Sequence, residues 1–154
     1  MAWITLTSED VKRRLTKPEI DRVPSVAKLT SQTAEGLLAS ATDEIVREVR
    51  GHVAGGKNIL GAAGTIPDEL ENAALALIRR VVFGRVPGLE DLFGDIRKAE
   101  ASDAQSLLRR VADGKFAIVP PTAPAPGIQQ AGKFSAEVIT SRDDIVGGGR
   151  VSGL

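Results

Sequence analysis

The segment KNILGAAGTIPDEL, residues 57–70, has the composition of a phosphate-binding loop, because a lysine, an asparagine and two glycines precede a helix start. A P-loop requires the pattern G-x-x-x-x-G-K-[ST], in which a hydroxyl residue follows the lysine and binds the magnesium ion of the nucleotide. Here Gly56 precedes Lys57, but Asn58 takes the place of the hydroxyl residue. The segment therefore does not meet the requirements of a P-loop.

Within this segment, GAAG at Gly61 to Gly64 fits the G-x-x-G loop that clamps a nucleic-acid backbone in KH domains. That pattern is only four residues long, and KH folds need strands that the sequence does not predict in this region. A connection between two helices explains the segment better. Its glycines supply tight turns, Ile59 and Leu60 contact the core, and Pro67 begins the next helix.

No other group of polar residues forms a catalytic or metal-binding pattern. His52 is the sole histidine and lies at the end of a predicted helix, where a positive charge complements the helix dipole. The acids Asp68, Glu69 and Glu71 crowd a predicted helix N-terminus, and capping explains them better than metal binding. We therefore expect neither an enzyme nor a cofactor.

The charged residues balance, with 20 Lys and Arg against 20 Asp and Glu. A protein that binds nucleic acid by itself usually has a basic excess, because phosphate contacts supply most of the affinity. The best basic pairs, Arg79-Arg80 and Arg109-Arg110, could contact DNA, but salt bridges at a protein interface or a solvated face suit them better. No cysteine is present, and no apolar run reaches the length of a membrane span.

Residues 1–119 predict an all-α domain, a small bundle of four to five helices. The predicted helices are, in order, one that begins at Thr7 or Ser8, a short one that begins at Pro18, one over Thr33–Val53, one over Pro67–Phe83, and one from Leu89 or Asp95 to Asp113.

Local signals support these helices. Thr7 and Asp10 match a capping box, and Pro24 limits the regularity of the second helix. A buried stripe in the third helix comprises Leu38, Ala41, Ile45 and Val49, and the pair Asp43–Arg47 stabilises its exposed face. The fourth helix is apolar nearly all round, which predicts a central position. The stripe of the last helix comprises Leu107, Leu108 and Val111, preceded by Phe93 and Ile96.

Residues 120–154 form a second region, a long extended arm. It contains 4 prolines and 6 glycines in 35 residues, so it buries too little apolar surface to offset its own ordering entropy. Within it, KFSAEVIT alternates apolar and polar residues with the period of a short β-strand. We expect the arm to take its shape on another molecule, by lending a strand to a neighbouring copy or to a different partner. The arm residues predicted to contact that partner are Phe134, Val138, Ile139, Ile145 and Val146.

Three blocks of this sequence resemble a known family, the small neck proteins of Mu-like phages, which are similar to the head–tail connector (adaptor) proteins of long-tailed phages. The blocks are MAWITLTSEDVKRRL, EIVREVRGHVAGGKNILGAAGTIPDELENAALALIRR and RKAEASDAQSLLRRVADGKFAI. The resemblance covers residues 1 to about 119 and is most specific in LGAAGTIPDEL. It implies that this last block is the family's connection between helices and not a catalytic loop.

The resemblance also implies a function. Adaptors of this kind assemble into a homo-oligomeric ring, commonly of twelve copies, beneath the portal protein. DNA passes through the ring without sequence-specific binding, and the next neck or tail protein docks below. The expected location is the neck of the virion, reached from the host cytoplasm during assembly, with no membrane involved.

Other functions stay open at this point. A neighbouring structural role, as a stopper or tail-completion protein, would suit the same features. A small helical DNA-binding or regulatory protein belongs to a different class, and a salt-dependent affinity for DNA would favour it. An enzyme would need a polar pocket with perturbed titrating groups.

Overall fold

The structure is a computed structural model, and it describes residues 3–84 and 94–122. The all-α prediction is confirmed, because five helices and one short strand pair make up the described part of the chain. The elements are, in order, β1 (Trp3–Thr5), α1 (Ser8–Arg14), α2 (Lys17–Leu29), α3 (Ala34–Gly55), β2 (Thr65–Pro67), a 3-10 turn (Asp68–Leu70), α4 (Glu71–Gly84) and α5 (Asp95–Ala112).

Several sequence-based predictions lie outside the described residues. They comprise the strand of the arm and all five of its predicted contact residues, which are Phe134, Val138, Ile139, Ile145 and Val146, together with Leu89 and Phe93.

The start of α1 confirms the predicted capping box. The Asp10 main-chain N–H donates to the Thr7 hydroxyl, while the Asp10 carboxylate accepts from the main-chain N–H of Thr7 at 2.9 Å. Two N–H groups that the first helical turn cannot bond are thus satisfied reciprocally.

Helix α2 is longer and more regular than the predicted short helix. A second capping box fixes its start, because the Glu19 carboxylate accepts from the main-chain N–H of Thr16 at 2.6 Å and from its hydroxyl at 2.9 Å. Pro24 lies inside the helix on its exposed face. The helix continues through Pro24 because water can solvate the Ile20 carbonyl, which has no N–H opposite it.

The core lies among α3, α4 and α5. The predicted stripe of α3 is buried, as is nearly the whole circumference of α4 between Ala73 and Phe83, so α4 is central as predicted. In α5 the buried residues are Ala101, Ala104, Leu108 and Val111, and Leu107 is partly buried. Ile96 is 78% exposed, so its assignment to the α5 stripe was wrong. It lies in the first turn of α5 and lines an open hollow with Pro18 and Glu19 of α2.

The segment between α3 and α4 differs from the prediction in two ways. Pro67 ends a strand, and α4 begins at Glu71 after the 3-10 turn, so the predicted helix start at Pro67 is wrong. The region also contains strand β2, which pairs antiparallel with β1 in the register Trp3↔Pro67, Ile4↔Ile66 and Thr5↔Thr65. The side chain of Ile66 is fully buried, which ties this strand pair to the core.

One predicted surface pair takes a different form. The Nε of Arg47 donates to the main-chain carbonyl of Asp43 at 3.1 Å. The two residues are therefore joined through the helix backbone.

Candidate functional site

Three carbonyl groups at the end of the loop at residues 57–64 and at the start of β2 point at the guanidinium group of Arg50. One Arg50 nitrogen donates to the carbonyls of Ala62 at 2.8 Å and Thr65 at 2.6 Å, and the other donates to Gly61 at 3.3 Å. A phosphate cradle has the opposite polarity, since it points main-chain N–H groups at the anion. The loop is therefore organised by a cation of the protein itself and does not have the polarity of a phosphate site.

The P-loop comparison fails on geometry as well as on Asn58. The spacing Gly51-x4-Gly56-Lys57 matches the first part of the P-loop pattern, but residues 51–55 belong to helix α3. The intervening residues therefore form a helical turn, where a P-loop needs a phosphate-wrapping loop. Asn58 Nδ2 instead donates to the carbonyl of Val53 near the end of α3, at 3.4 Å.

Gly61 has a packing role. A Cβ atom at this position would lie 2.6 Å from atoms of the Trp3 indole ring, so only glycine allows the loop to approach that ring. The guanidinium carbon of Arg50 lies 6.0 Å from the centre of the same ring. Trp3 thus contacts both the loop and Arg50, which explains Gly61, and the positive φ of Gly64 explains the second glycine, without a nucleic-acid ligand.

The root of the C-terminal arm is fastened to the same place. The indole N–H of Trp3 donates to the Val119 carbonyl at 3.2 Å, and the Val119 N–H donates to the Glu69 carboxylate at 3.3 Å. The preceding Ile118 is buried. We call these contacts of Trp3, Glu69 and Val119 the arm root. They hold Val119, the last residue before the predicted arm, against the helical body.

Of the four arginines predicted to lie at an interface, Arg79 is buried within its own chain. Its guanidinium donates to the Glu100 carboxylate at 3.0 Å, and Arg97 donates to that carboxylate at 3.1 Å. Arg97 Nε in turn lies 3.6 Å from the buried carboxylate of Glu19. This series of ion pairs joins α2, α4 and α5. The charge of Arg79 is therefore paired within its own chain.

The remaining three arginines are exposed. Arg80 follows Arg79 on α4, while Arg109 and Arg110 lie in the last turn of α5, where a positive charge complements the helix dipole. Their role at an interface stays a prediction.

The other titrating residues singled out in the sequence take local structural positions. His52 lies in the last turn of α3, Asp68 and Glu69 lie in the 3-10 turn, and Glu71 lies in the first turn of α4. These are the helix-end positions that capping and the helix dipole favour.

Perturbed pKa values occur around α1. The Thr7 hydroxyl bonded to its carboxylate is the main cause that lowers the pKa of Asp10. The hydrogen bond from Lys12 lowers the pKa of Glu35, and Glu9 together with Glu35 raises the pKa of Lys12. Helix capping and exposed ion pairs account for these shifts.

The described residues contain neither a metal-binding cluster nor a membrane-spanning helix. Within residues 3–84 and 94–122, no group of three or more His, Cys, Asp or Glu side chains is placed to hold a metal ion. None of the helices in those two stretches is both long enough and apolar enough to cross a bilayer.

Sequence reasoning did not identify Trp3, Arg50, Glu69 and Val119 as one cluster. The residues come from four separate parts of the chain. Every residue has a main-chain carbonyl, so a sequence does not show which carbonyls accept hydrogen bonds. One signal was available, since Trp3 is the single tryptophan of a chain with 3% aromatic residues. A large ring in such a chain needs a close-fitting partner, and Gly61 provides it.

Comparisons with known proteins return no match: no family model matches the chain, and neither a curated protein nor a solved structure matches it. The resemblance to phage neck proteins therefore depends on the quoted sequence blocks alone.

Proposed function

We propose that this protein is a structural subunit of a phage neck, a head–tail adaptor that assembles into a ring below the portal protein. In this proposal DNA passes through the ring, and the next neck or tail protein docks beneath it. The observation that carries the proposal is the arm root. The contacts of Val119 hold the last part of the helical body in place, and the composition of the residues that follow predicts a segment without a core of its own.

The loop geometry is consistent with a purely structural role. The block LGAAGTIPDEL is the most specific part of the resemblance, and its carbonyl groups are bonded within the chain by Arg50. Its Gly61 is explained by contact with Trp3. Each of these features stabilises the fold, and none of them is needed for a reaction.

A closed ring requires a head-to-tail interface, in which two different faces of the subunit meet. The exposed residues Arg80, Arg109 and Arg110 and the exposed Ile96 are candidates for such contacts. The arm adds contact area without a larger core, which suits a subunit of modest size. We propose that its Phe134, Val138, Ile139, Ile145 and Val146 make the apolar contacts.

Mass measurement tests this proposal. Native mass spectrometry of the full-length chain, alone and after mixing with purified portal rings, should show a closed oligomer or a complex with the portal. A chain cut after Thr122 keeps the arm root and is the appropriate arm-less variant, and we expect it to bind portal rings much more weakly.

One result would contradict the adaptor proposal, and a second would contradict only the role of the arm. One is a full-length monomer that does not bind portal rings but binds DNA with a steep salt dependence, which is the behaviour of a DNA-binding protein. The other is portal binding that is unchanged in the chain cut after Thr122, which would leave the ring but remove the role of the arm.

A further inference from the structure

The strand β1 is a free edge in the described part of the structure. It pairs with β2 on one side, and no main-chain hydrogen bond joins its other side to any described segment. Edge strands offer unpaired N–H and C=O groups that can template a further strand. A two-stranded pair is also marginal by itself, so a third strand would add stability.

The arm leaves the body directly beside this edge, because Trp3 of β1 donates to the carbonyl of Val119. Residues 120–126, PPTAPAP, contain four prolines and favour an extended conformation of about 3.1 Å per residue. Such a spacer spans about 20 Å, a distance larger than the expected radius of gyration of the body, about 13–14 Å, so it is long enough to reach a neighbouring copy. A return from that distance to its own β1 would require residues 127–133 to be almost fully extended.

We propose that residues 134–140 of one copy, FSAEVIT, add as a strand to the free edge of β1 in a neighbouring copy. This proposal rests on the proposed ring, since it needs a neighbour at the distance that the spacer spans. Main-chain hydrogen bonds supply the affinity, and the alternate side chains of the added strand supply the specificity. The added strand thereby links the arm of each copy to the N-terminal strand of the next.

Chemical cross-linking of the full-length chain tests the proposal, because the protein has no cysteine of its own. One preparation carries Thr5→Cys, at the exposed end of β1, and a second carries Glu137→Cys in the arm. After mixing, a short bismaleimide should join the two chains. A matched pair uses Ser40→Cys, which is exposed on α3, in place of Thr5→Cys. We expect the Thr5 pair to cross-link several-fold more than the Ser40 pair.

A variant in the arm separates strand addition from simple proximity. Val138→Pro removes a main-chain donor from the added strand, whereas Val138→Thr keeps a residue that favours strands. Val138→Pro should reduce the Thr5–Glu137 cross-link to the level of the Ser40 pair, and Val138→Thr should leave it in place.

Native mass measured on the same samples distinguishes this inference from the proposed function. A ring that cross-links equally at Thr5 and Ser40 overturns strand exchange and leaves the adaptor proposal standing. A monomer without cross-links overturns both. A chain carrying both Thr5→Cys and Glu137→Cys that cross-links only within itself shows the arm on its own β1 and overturns exchange between copies.

Discussion

The guanidinium group of Arg50 shows how one side chain decides what a glycine-rich loop can do. It binds three carbonyl groups, those of Gly61, Ala62 and Thr65, and its carbon atom faces the ring of Trp3. Because these carbonyl groups converge on a cation, the negative ends of their peptide dipoles point inward. Gly61, one of the glycines that suggest phosphate binding in the sequence, therefore brings the backbone close to an arginine and an indole.

Gly61→Ala should destabilise the protein by about 1–3 kcal/mol, the usual penalty for forcing extra volume into a packed site. The reason is the 2.6 Å separation between the added Cβ and the Trp3 ring. Gly51→Ala is the matched control, because Gly51 lies within α3 and a Cβ there meets nothing within 4 Å. The control should raise stability by about 0.5–1 kcal/mol. Urea unfolding measures both, and a loss of stability in both variants would contradict the packing role of Gly61.

Asp10 predicts a pH dependence. Its pKa is lowered from the ordinary value of 3.8, first by the Thr7 hydroxyl and then by the Thr7 N–H, with Arg13 adding to the effect. Because the folded pKa lies below the unfolded one, the carboxylate stabilises the fold fully above the unfolded pKa. This contribution is lost as the pH falls through the folded pKa.

The measurement is the free energy of unfolding of wild type minus that of Asp10→Asn, followed from pH 7 downward. The difference should stay constant at neutral pH and shrink below pH 3.8. Subtraction removes the titration of other carboxylates, which both proteins share. A difference that persists unchanged into strong acid would show that the carboxylate charge is not its source.

At the scale of elements, α2 contains two prolines in contrasting positions. Pro18 lies in the first turn, where the missing N–H has no helical partner, and Pro24 lies in the interior, where one backbone bond is lost. Pro24→Ala should therefore stabilise the protein by about 1–2 kcal/mol, the restored helix propensity less the greater freedom of the unfolded chain.

Pro18→Ala is the control for this substitution, and its effect should be near zero or slightly destabilising. Thermal unfolding followed by circular dichroism measures both variants. If the two substitutions had the same effect, the position of Pro24 in the helix interior could not be the cause.

The elements also show what the sequence could predict. Helices α3 and α4 follow from the spacing of Leu38, Ile45 and their neighbours, because one long stripe is a local property of the chain. The Thr16-x-x-Glu19 capping box is equally local. It could have predicted where α2 begins, although Pro24 lies farther along the helix. The β1–β2 pair could not be predicted, since each strand has three residues and the partners are about sixty residues apart.

The contacts of the candidate site also divide into those that depend on tertiary structure and those with a local signal in the sequence. The inward carbonyls on Arg50 and the bond from Trp3 to Val119 depend on tertiary approach, which no periodicity encodes. The burial of Arg79 had a partial signal, because α4 is apolar on nearly every side and leaves that position little solvent. The partner Glu100 lies on another helix, so the pair itself could not be predicted.

At the scale of the whole molecule, two sets of contacts join distant segments of the body. One is a series of ion pairs, and the other is the strand pair together with the arm root. The Arg79–Glu100–Arg97–Glu19 series joins α4, α5 and α2, with the carboxylate of Glu19 also capping α2. The strand pair and the arm root join residues 3–5 to residues 65–69 and to Val119. The described body is thus fastened at its first and last segments.

This arrangement predicts where the body ends. A chain cut after Thr122 should keep the wild-type free energy of unfolding, because every described contact of the arm root is retained. A chain cut after Lys115 loses the buried Ile118, the partly buried Phe116 and both hydrogen bonds of Val119. Removing core side chains of this size should cost about 2–5 kcal/mol.

Urea unfolding gives the free energy of unfolding of the two shortened chains and of the full-length protein. The comparison distinguishes a body that ends near residue 119 from a body that includes the arm. The Trp3 ring serves as the fluorescent reporter, because it touches Val119 directly and is the sole tryptophan. If the full-length chain and the chain cut after Thr122 are equally stable, residues 123–154 do not stabilise the body. This result is expected for an arm that contacts other molecules. If cutting after Thr122 lowered stability as much as cutting after Lys115, the arm would belong to the fold of its own chain, and strand exchange between copies would lose its donor.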